Sequence, residues 1–248
     1  LTCSDKGVII LLSKGGYKMK KQIYSLMNYN ESVATMDAGA DHIGLVPMQS
    51  AGVPSHRVPF DVVDRIFDKA KKRGVKCVAI MLNKDPDEMI FITKRIKPDI
   101  VHIAGMDFTA DAAFADRLHK ECPGVELMQA VLVDGPAAVV RAKEYAKFCD
   151  YLLTDSGLAA DTGIGASGLT HNWNVDAEIV KSVNIPVIIA GGLGPDNVEE
   201  CIRKVRPYGV DSLTKTSFKY NDGVMEKDIS KVREFCEKAD KTSKELGL

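Results

Sequence analysis

The chain has 248 residues, 45% of them hydrophobic and 27% charged, with 33 basic side chains against 34 acidic ones and a formal net charge of -1. This is the composition of an ordinary globular protein with room for one large domain, and its near neutrality gives no net drive toward nucleic acid. The longest apolar run near the N-terminus, Val8 to Leu12, is too short to span a bilayer, so no membrane is implied.

The six cysteines, Cys3, Cys77, Cys122, Cys149, Cys201 and Cys236, are scattered and form no C-x-x-C pair. That pattern argues against a disulfide framework and against zinc, and points to a reducing cytoplasm. No metal or other cofactor is called for. Residues 1–18 read differently from the rest. Lys14-Gly15-Gly16-Tyr17-Lys18-Met19 can be encoded by a purine-rich AGGAGG stretch followed closely by ATG, the layout of a bacterial ribosome-binding site and start codon. Met19 is the expected start, with residues 1–18 an extension foreign to the fold; a short disordered arm is the alternative.

From Lys20 the sequence alternates strand-like and helix-like segments. Gln22 to Leu26 reads as a strand and about Asn30 to Ala38 as a helix, followed by a strand at His42 to Val46. A helix with Pro59 near its first turn runs to about Arg73, with Gly74 as its stop. Val75 to Leu82 is a continuous apolar run, the signature of a strand buried on both faces. Further strands are expected at Asp99 to Ile103, Val125 to Leu132, Asp150 to Thr154, Pro186 to Ala190 and Gly209 to Leu213. A helix is expected to start at Asp85-Pro86-Asp87-Glu88, with others near 109–121, 135–147, 174–183 and 195–205 and from Lys227 to Lys241. Eight strands alternating with eight helices predict an α/β protein, a single (β/α)8 barrel of the phosphate-binding type over residues 19–248. A doubly wound open sheet is the competitor, weakened because no glycine-rich dinucleotide fingerprint follows the first strand.

In such barrels the chemistry lies at the C-terminal ends of the strands. Ala190-Gly191-Gly192-Leu193-Gly194-Pro195 follows strand seven and precedes a helix start near Pro195, where backbone amides can cradle a phosphate. Thr214 and Lys215 follow strand eight and form the other half of that site. Asp155 ends strand six and is a candidate general acid or base; a turn or cap role is the plain alternative. Residues 156–173 are too long for a minimal connector and suggest a lid. Arg57 at the rim after strand two suits a carboxylate or phosphate. His102 and Gln129 are both expected to point into the barrel mouth.

At these residues the sequence resembles the phosphoribosylanthranilate isomerase family over roughly Lys20 to Lys241. The resemblance rests on AGADHIGLV at 38–46, Arg57 in SHR, VAIMLN at 78–83, TDS at 154–156, GASGLTHNW at 165–173, AGGLGPDNV at 190–198 and RPYGVD at 206–211. It implies a cofactor-free Amadori rearrangement of an aminoaldose phosphate to an aminoketose phosphate in tryptophan biosynthesis. Asp155 falls on the general acid, Arg57 on the arginine that meets the anthranilate carboxylate, and Gly191-Gly192 on a phosphate-binding turn. Ser167 and Gly168 fall in the substrate loop. The chain departs from the family's pattern at four places. Gln22-Ile23-Tyr24-Ser25 stands where the family writes Lys-x-Cys-Gly, so Tyr24 occupies the place of the base cysteine. His102-Ile103-Ala104-Gly105 replaces Gln-Leu-His-Gly, Leu213-Thr214-Lys215 replaces Ser-Ser-Gly, and Leu169-Thr170-His171-Asn172-Trp173 replaces Lys-Thr-Phe-Asp-Trp.

A phenol with a pKa near 10 is a poor base at neutrality, whereas a histidine titrates close to it. His102 is therefore the expected substitute base. The readings that follow are an isomerase of phosphoribosylanthranilate, an isomerase or epimerase of another sugar phosphate, and a non-catalytic barrel that binds a phosphorylated metabolite. The expected partner is a small phosphorylated sugar, and the expected state a monomer or homodimer.

Overall fold

The computed structural model describes residues 18–48, 57–105, 107–159, 163–164, 171–220 and 225–248. Eight parallel strands close on themselves: β1 Lys20–Ile23, β2 His42–Pro47, β3 Lys76–Met81, β4 Ile100–Ile103, β5 Glu126–Leu132, β6 Tyr151–Asp155, β7 Val187–Ile189 and β8 Gly209–Ser212. Closure is through β1, which pairs with β8 in the register Gln22 to Asp211 and with β2 in the register Gln22 to His42. The helices α1 Tyr29–Asp37, α2 Phe60–Lys71, α3 Pro86–Ile96, α4 Ala112–Glu121, α5 Ala137–Tyr145, α6 Trp173–Ser182, α7 Val198–Val205 and α8 Ile229–Leu246 each follow one strand. This is the expected (β/α)8 barrel. Three small additions sit on the connections after strands. Arg57–Val58 runs parallel to the end of β2, Leu158–Ala159 pairs with Gly163–Ile164, and Ser217–Lys219 pairs with Met225–Lys227.

The alternating side chains of each strand divide the apolar core into two layers. Ile23, Leu45, Ala79, Val101, Leu127, Leu152, Ile189 and Val210 face the helices, where Ile66, Phe67, Leu118, Ile202 and Phe235 meet them. Each such large side chain, fully buried, contributes about 1.5–3 kcal/mol. The barrel interior holds Val78, Ile80, Ile100, Met128, Tyr151, Leu153, Ile188 and the ring of Tyr24. Among the described residues no helix is long and apolar enough to cross a membrane.

Four boundaries moved for identifiable reasons. The first strand begins two residues before Gln22, because the two lysines that look like a polar lead-in are part of the ladder. Lys21 is fully buried with its Nζ 2.6 Å from Asp41 and 2.7 Å from Asp240. Burial opposes its charge, yet the two carboxylates hold its pKa above the ordinary lysine value. The same strand stops before Leu26 because Ser25 adopts a left-handed φ of 60°, uncommon for a residue with a side chain. The helix expected from Pro195 begins only at Val198, since Asn197 folds its side chain back over the preceding loop. The last helix starts after Asp228, whose Oδ1 accepts from the amides of Ser230 and Lys231 as an N-cap.

Candidate active site

Asp155 is the last residue of β6. Tyr151 and Leu153 face the barrel interior, so the period of two carries the Asp155 carboxyl inward at the mouth. Only 8% of the residue is exposed, and its Oδ1 accepts from the Ser156 amide at 2.6 Å. Burial pushes its pKa up to about 7; the Ser156 amide and His171 pull it down and Asp176 pushes it up. A carboxyl with that value is half-protonated at neutral pH, the condition under which one group donates and recovers a proton best.

A second carboxyl lies within its field. Asp211 on β8 follows Val210, which faces the helices, so Asp211 faces the interior. It is almost wholly buried, and burial together with the charge of Asp155 drives its pKa well above the carboxylate range, opposed by a hydrogen bond from Gln22. Its Oδ1 has no hydrogen-bond partner. The sequence analysis quotes Asp211 only as the end of RPYGVD. The alternation along Gly209-Val210-Asp211 is the signal that marks it.

Tyr24 and His102 meet inside the barrel. The Tyr24 hydroxyl lies 2.9 Å from His102 Nδ1 and donates toward Met128 Sδ at 3.6 Å. The phenol ring lies flat against Gly44, where any Cβ would fall within the ring. Burial and the charges of Asp211 and Asp155 keep the phenol protonated well past its usual range. Burial alone drops the His102 pKa to about 3. The near-neutral imidazole expected of a substitute base is therefore absent from the unliganded site: the ring is neutral, sealed, and already paired through Nδ1.

The end expected to take a phosphate is built from the loops after β7 and β8. Gly191 and Gly192 both take positive φ, 81° and 63°, a conformation glycine adopts at no steric cost. Asn197 ties the turn, its Oδ1 accepting from the Gly194 amide at 2.9 Å and its Nδ2 donating to the Gly192 carbonyl at 3.0 Å. Thr214–Thr216 forms a single 3-10 turn. Within it Lys215 packs its stem across Gly194 and extends its Nζ to 3.9 Å from Asp196. The two loops expected to share a phosphate are in contact.

A family model described as N-(5'-phosphoribosyl)anthranilate (PRA) isomerase matches residues 28–238. The chain belongs to that family. It is 31% identical over 207 residues to the N-(5'-phosphoribosyl)anthranilate isomerase of Methanocella arvoryzae, covering 84% of this chain and 91% of that one. It is 33% identical over 180 residues to that of Haloferax volcanii, covering 72% and 76%. Among solved structures, the phosphoribosylanthranilate isomerases of Thermotoga maritima (TM-score 0.72, 20% identity, 89% and 98% coverage) and Pyrococcus furiosus (TM-score 0.70, 24% identity, 90% and 99% coverage) share the fold.

Of the residues expected around the barrel mouth, Gln129 and the side chain of Leu193 lie away from it. Gln129 does not enter the mouth. It shares the outward face of β5 with Leu127 and Val131, its Oε1 accepting from the Ala110 amide at 2.9 Å and its Nε2 donating to the Ile103 carbonyl at 3.4 Å. Its work is to satisfy buried backbone ahead of α4. Gln129→Leu is expected to lower stability by about 1–3 kcal/mol by leaving the Ala110 N–H unpaired, with kcat unchanged, as read by urea unfolding beside turnover. Leu193 likewise sends its side chain into the core between barrel and helices, leaving only its backbone at the turn; its carbonyl accepts from Ser212 Oγ at 2.6 Å. Arg57 is half-buried in the two-residue strand against Val46, at the rim as expected. Ser167 and Gly168 lie outside the described residues, as do most of the loop read as a lid and the first seventeen residues of the expected extension.

Two further groups were not singled out from sequence. His171 and Asp176, at the start of α6, form a buried ion pair, Nε2 to Oδ2 at 2.6 Å. Lys227 is buried beside β8 with Nζ donating to Ser217 Oγ at 2.8 Å and to the Leu213 carbonyl at 3.3 Å. Burial lowers its pKa to about 8 against the opposing pull of Glu31 and Asp211.

Proposed function

We propose that this chain isomerises phosphoribosylanthranilate in the cytoplasm, as a cofactor-free Amadori rearrangement that uses two buried carboxyls. The observation that supports it most is Asp155, a sealed acid at the end of β6 with its pKa raised to about 7. Asp155 gives its proton to the ribose ring oxygen, the carbon–oxygen bond at the anomeric carbon opens, and the nitrogen lone pair forms a protonated imine. A base then removes the proton from the second sugar carbon, and the enolamine ketonises. Arg57 is the ligand for the aromatic carboxylate, and the turn at Gly191-Gly192 with Thr214 and Lys215 is the phosphate seat.

For the base, coupling favours Asp211 over His102. The two carboxyls titrate as a pair: the microstate that reacts has the proton on Asp155 and Asp211 ionised, although burial favours the proton on Asp211. When Asp155 loses its proton to the ring oxygen, its new charge makes Asp211 more basic at the step where a base is required. His102 gains no such charge and stays bound to Tyr24. Asp211→Asn is expected to lower kcat by about 10²-fold, with His102→Ala costing less than tenfold, measured by the loss of substrate fluorescence. The reverse ranking would return the base to His102.

One observation favours a second reading, a different sugar phosphate: Tyr24 fills the space over Gly44 and Lys215 crowds Gly194. Complementation of a tryptophan auxotroph lacking this isomerase separates the two. Growth with turnover selects phosphoribosylanthranilate. Failure of both, with saturable thermal stabilisation by another sugar phosphate that is then converted, selects the second.

A further inference from the structure

The acid of the reaction has a neighbour that the mechanism above does not use. A Cβ built on Gly191 would meet Ser156 Oγ at 2.7 Å, His171 Nδ1 at 2.8 Å and Asp155 Oδ1 at 3.1 Å. Asp155 Oδ1 and His171 Nδ1 thus converge on one point beside the Gly191 backbone. On its far side the imidazole is gripped by Asp176, Nε2 to Oδ2 at 2.6 Å, with the two side chains 5% and 0% exposed. A buried carboxylate holding one ring nitrogen fixes the tautomer and turns the other nitrogen toward its target. His171 Nδ1 has no hydrogen-bond partner, and the approach of Nε2 to Asp176 is a charge contact without hydrogen-bond geometry.

We propose that His171, held by Asp176, is the positioning residue that restores the proton of Asp155. The proposal rests on the reading of Asp155 as the acid. Each turnover removes one proton from Asp155 and delivers one to the base, so the acid must be reloaded. An imidazole carrying a proton on Nδ1 gives it to the Asp155 carboxylate and returns to its neutral form, with Asp176 retaining Nε2–H throughout. The base then releases the proton it took from the second sugar carbon to water, and water returns one to Nδ1. The groups that face this pair are few: Asp155 and Ser156 after β6, Asp176 on α6, Asp211 on β8, Tyr24 after β1, and Cys201 on α7 within the field of Asp176. Among them only His171 is able to bear positive charge, and its charge lowers the Asp155 pKa.

The test is the titration of Asp155, read by carbon-13 carboxyl NMR in the unliganded protein, beside the pH profile of kcat/KM. His171→Phe leaves the Asp176 charge stranded, so the double variant H171F/D176L, which exchanges the buried pair for apolar contact, is measured with it. The expected result is an upward shift of the Asp155 titration in His171→Phe, and a smaller upward shift in the double variant, which also removes the charge of Asp176. A matching shift of the alkaline limb and a roughly tenfold fall in kcat at unchanged KM should accompany it. An unmoved or lowered titration, or a change confined to KM, overturns the proposal. Should Asp155→Asn retain turnover, the acid assignment fails instead, and the NMR titration still reports on the pairing by itself.

Discussion

Asp155→Asn is expected to cut kcat by about 10³–10⁴-fold while making the folded protein more stable at neutral and alkaline pH. The two effects have one cause. The Asp155 carboxyl is held in a sealed mouth where its charge is disfavoured, so its pKa is about 7 when folded and near 3.9 when unfolded. Between those values the folded state binds more protons than the unfolded one. Stability therefore falls as pH rises from about 4 to 7, and the penalty is complete above that. A difference of roughly three units is on the order of 4 kcal/mol. Asparagine keeps an oxygen for the Ser156 amide, carries no charge, and relieves Asp211 of its repulsive neighbour. Urea unfolding of variant and parent at pH 4.5 and pH 8 is the measurement. The variant's advantage should be small at the lower pH and several-fold larger at the higher. Equal advantages at both would show that the carboxyl titrates alike in the folded and unfolded protein, and the assignment of a poised acid would fall with it.

The barrel and the turn at Gly191-Gly192 were legible because they rest on periodicity and on glycine. Strands buried on both faces write continuous apolar runs, and the loop Ala190 to Asn197 announces itself by three glycines after such a run. What periodicity could not say was which face a polar residue takes inside a uniformly apolar strand. Glu126-Leu127-Met128-Gln129-Ala130-Val131-Leu132 has no hydrophobic alternation to anchor it, and Gln129 went to the helix side because the Ala110 amide needed an acceptor there. In Ile100-Val101-His102-Ile103 the same reasoning put His102 inside, correctly, yet the residue type suggested a pKa near neutrality. Complete burial overrode it, and burial is a property of the closed barrel rather than of the strand.

The same limit explains the groups that were overlooked. Asp211 lies 56 residues after Asp155 in the chain, and nothing local says that β8 brings its carboxyl within the field of β6. His171 and Asp176 look like an ordinary helix start until α6 packs and buries both. Lys227 looks like a helical surface lysine. Asp228 caps α8, so Lys227 is left in the preceding strand, facing inward. Each is a long-range consequence of closure.

Gly191→Ala is expected to lower kcat by about 10²-fold, a loss that backbone strain alone does not produce. The added methyl would lie 2.7–3.1 Å from Ser156 Oγ, His171 Nδ1 and Asp155 Oδ1 at once. All three belong to the acid's surroundings, and displacing a catalytic group by about an ångström is enough for a loss of that size. Strain is a separate contribution. Alanine at a φ of 81° costs on the order of 1 kcal/mol. Gly74 supplies the control, because it sits at a φ of 69° with nothing within 4 Å of a built Cβ. Gly74→Ala should therefore show a comparable loss of stability with kcat unchanged. If both variants lose activity alike, global destabilisation is the cause and Gly191 has no special relation to the acid. If only Gly191→Ala does, and its KM for the phosphorylated substrate rises little, then the glycine after strand seven serves the proton of Asp155 as much as the phosphate, a role that a glycine-rich turn read from sequence assigns wholly to the phosphate.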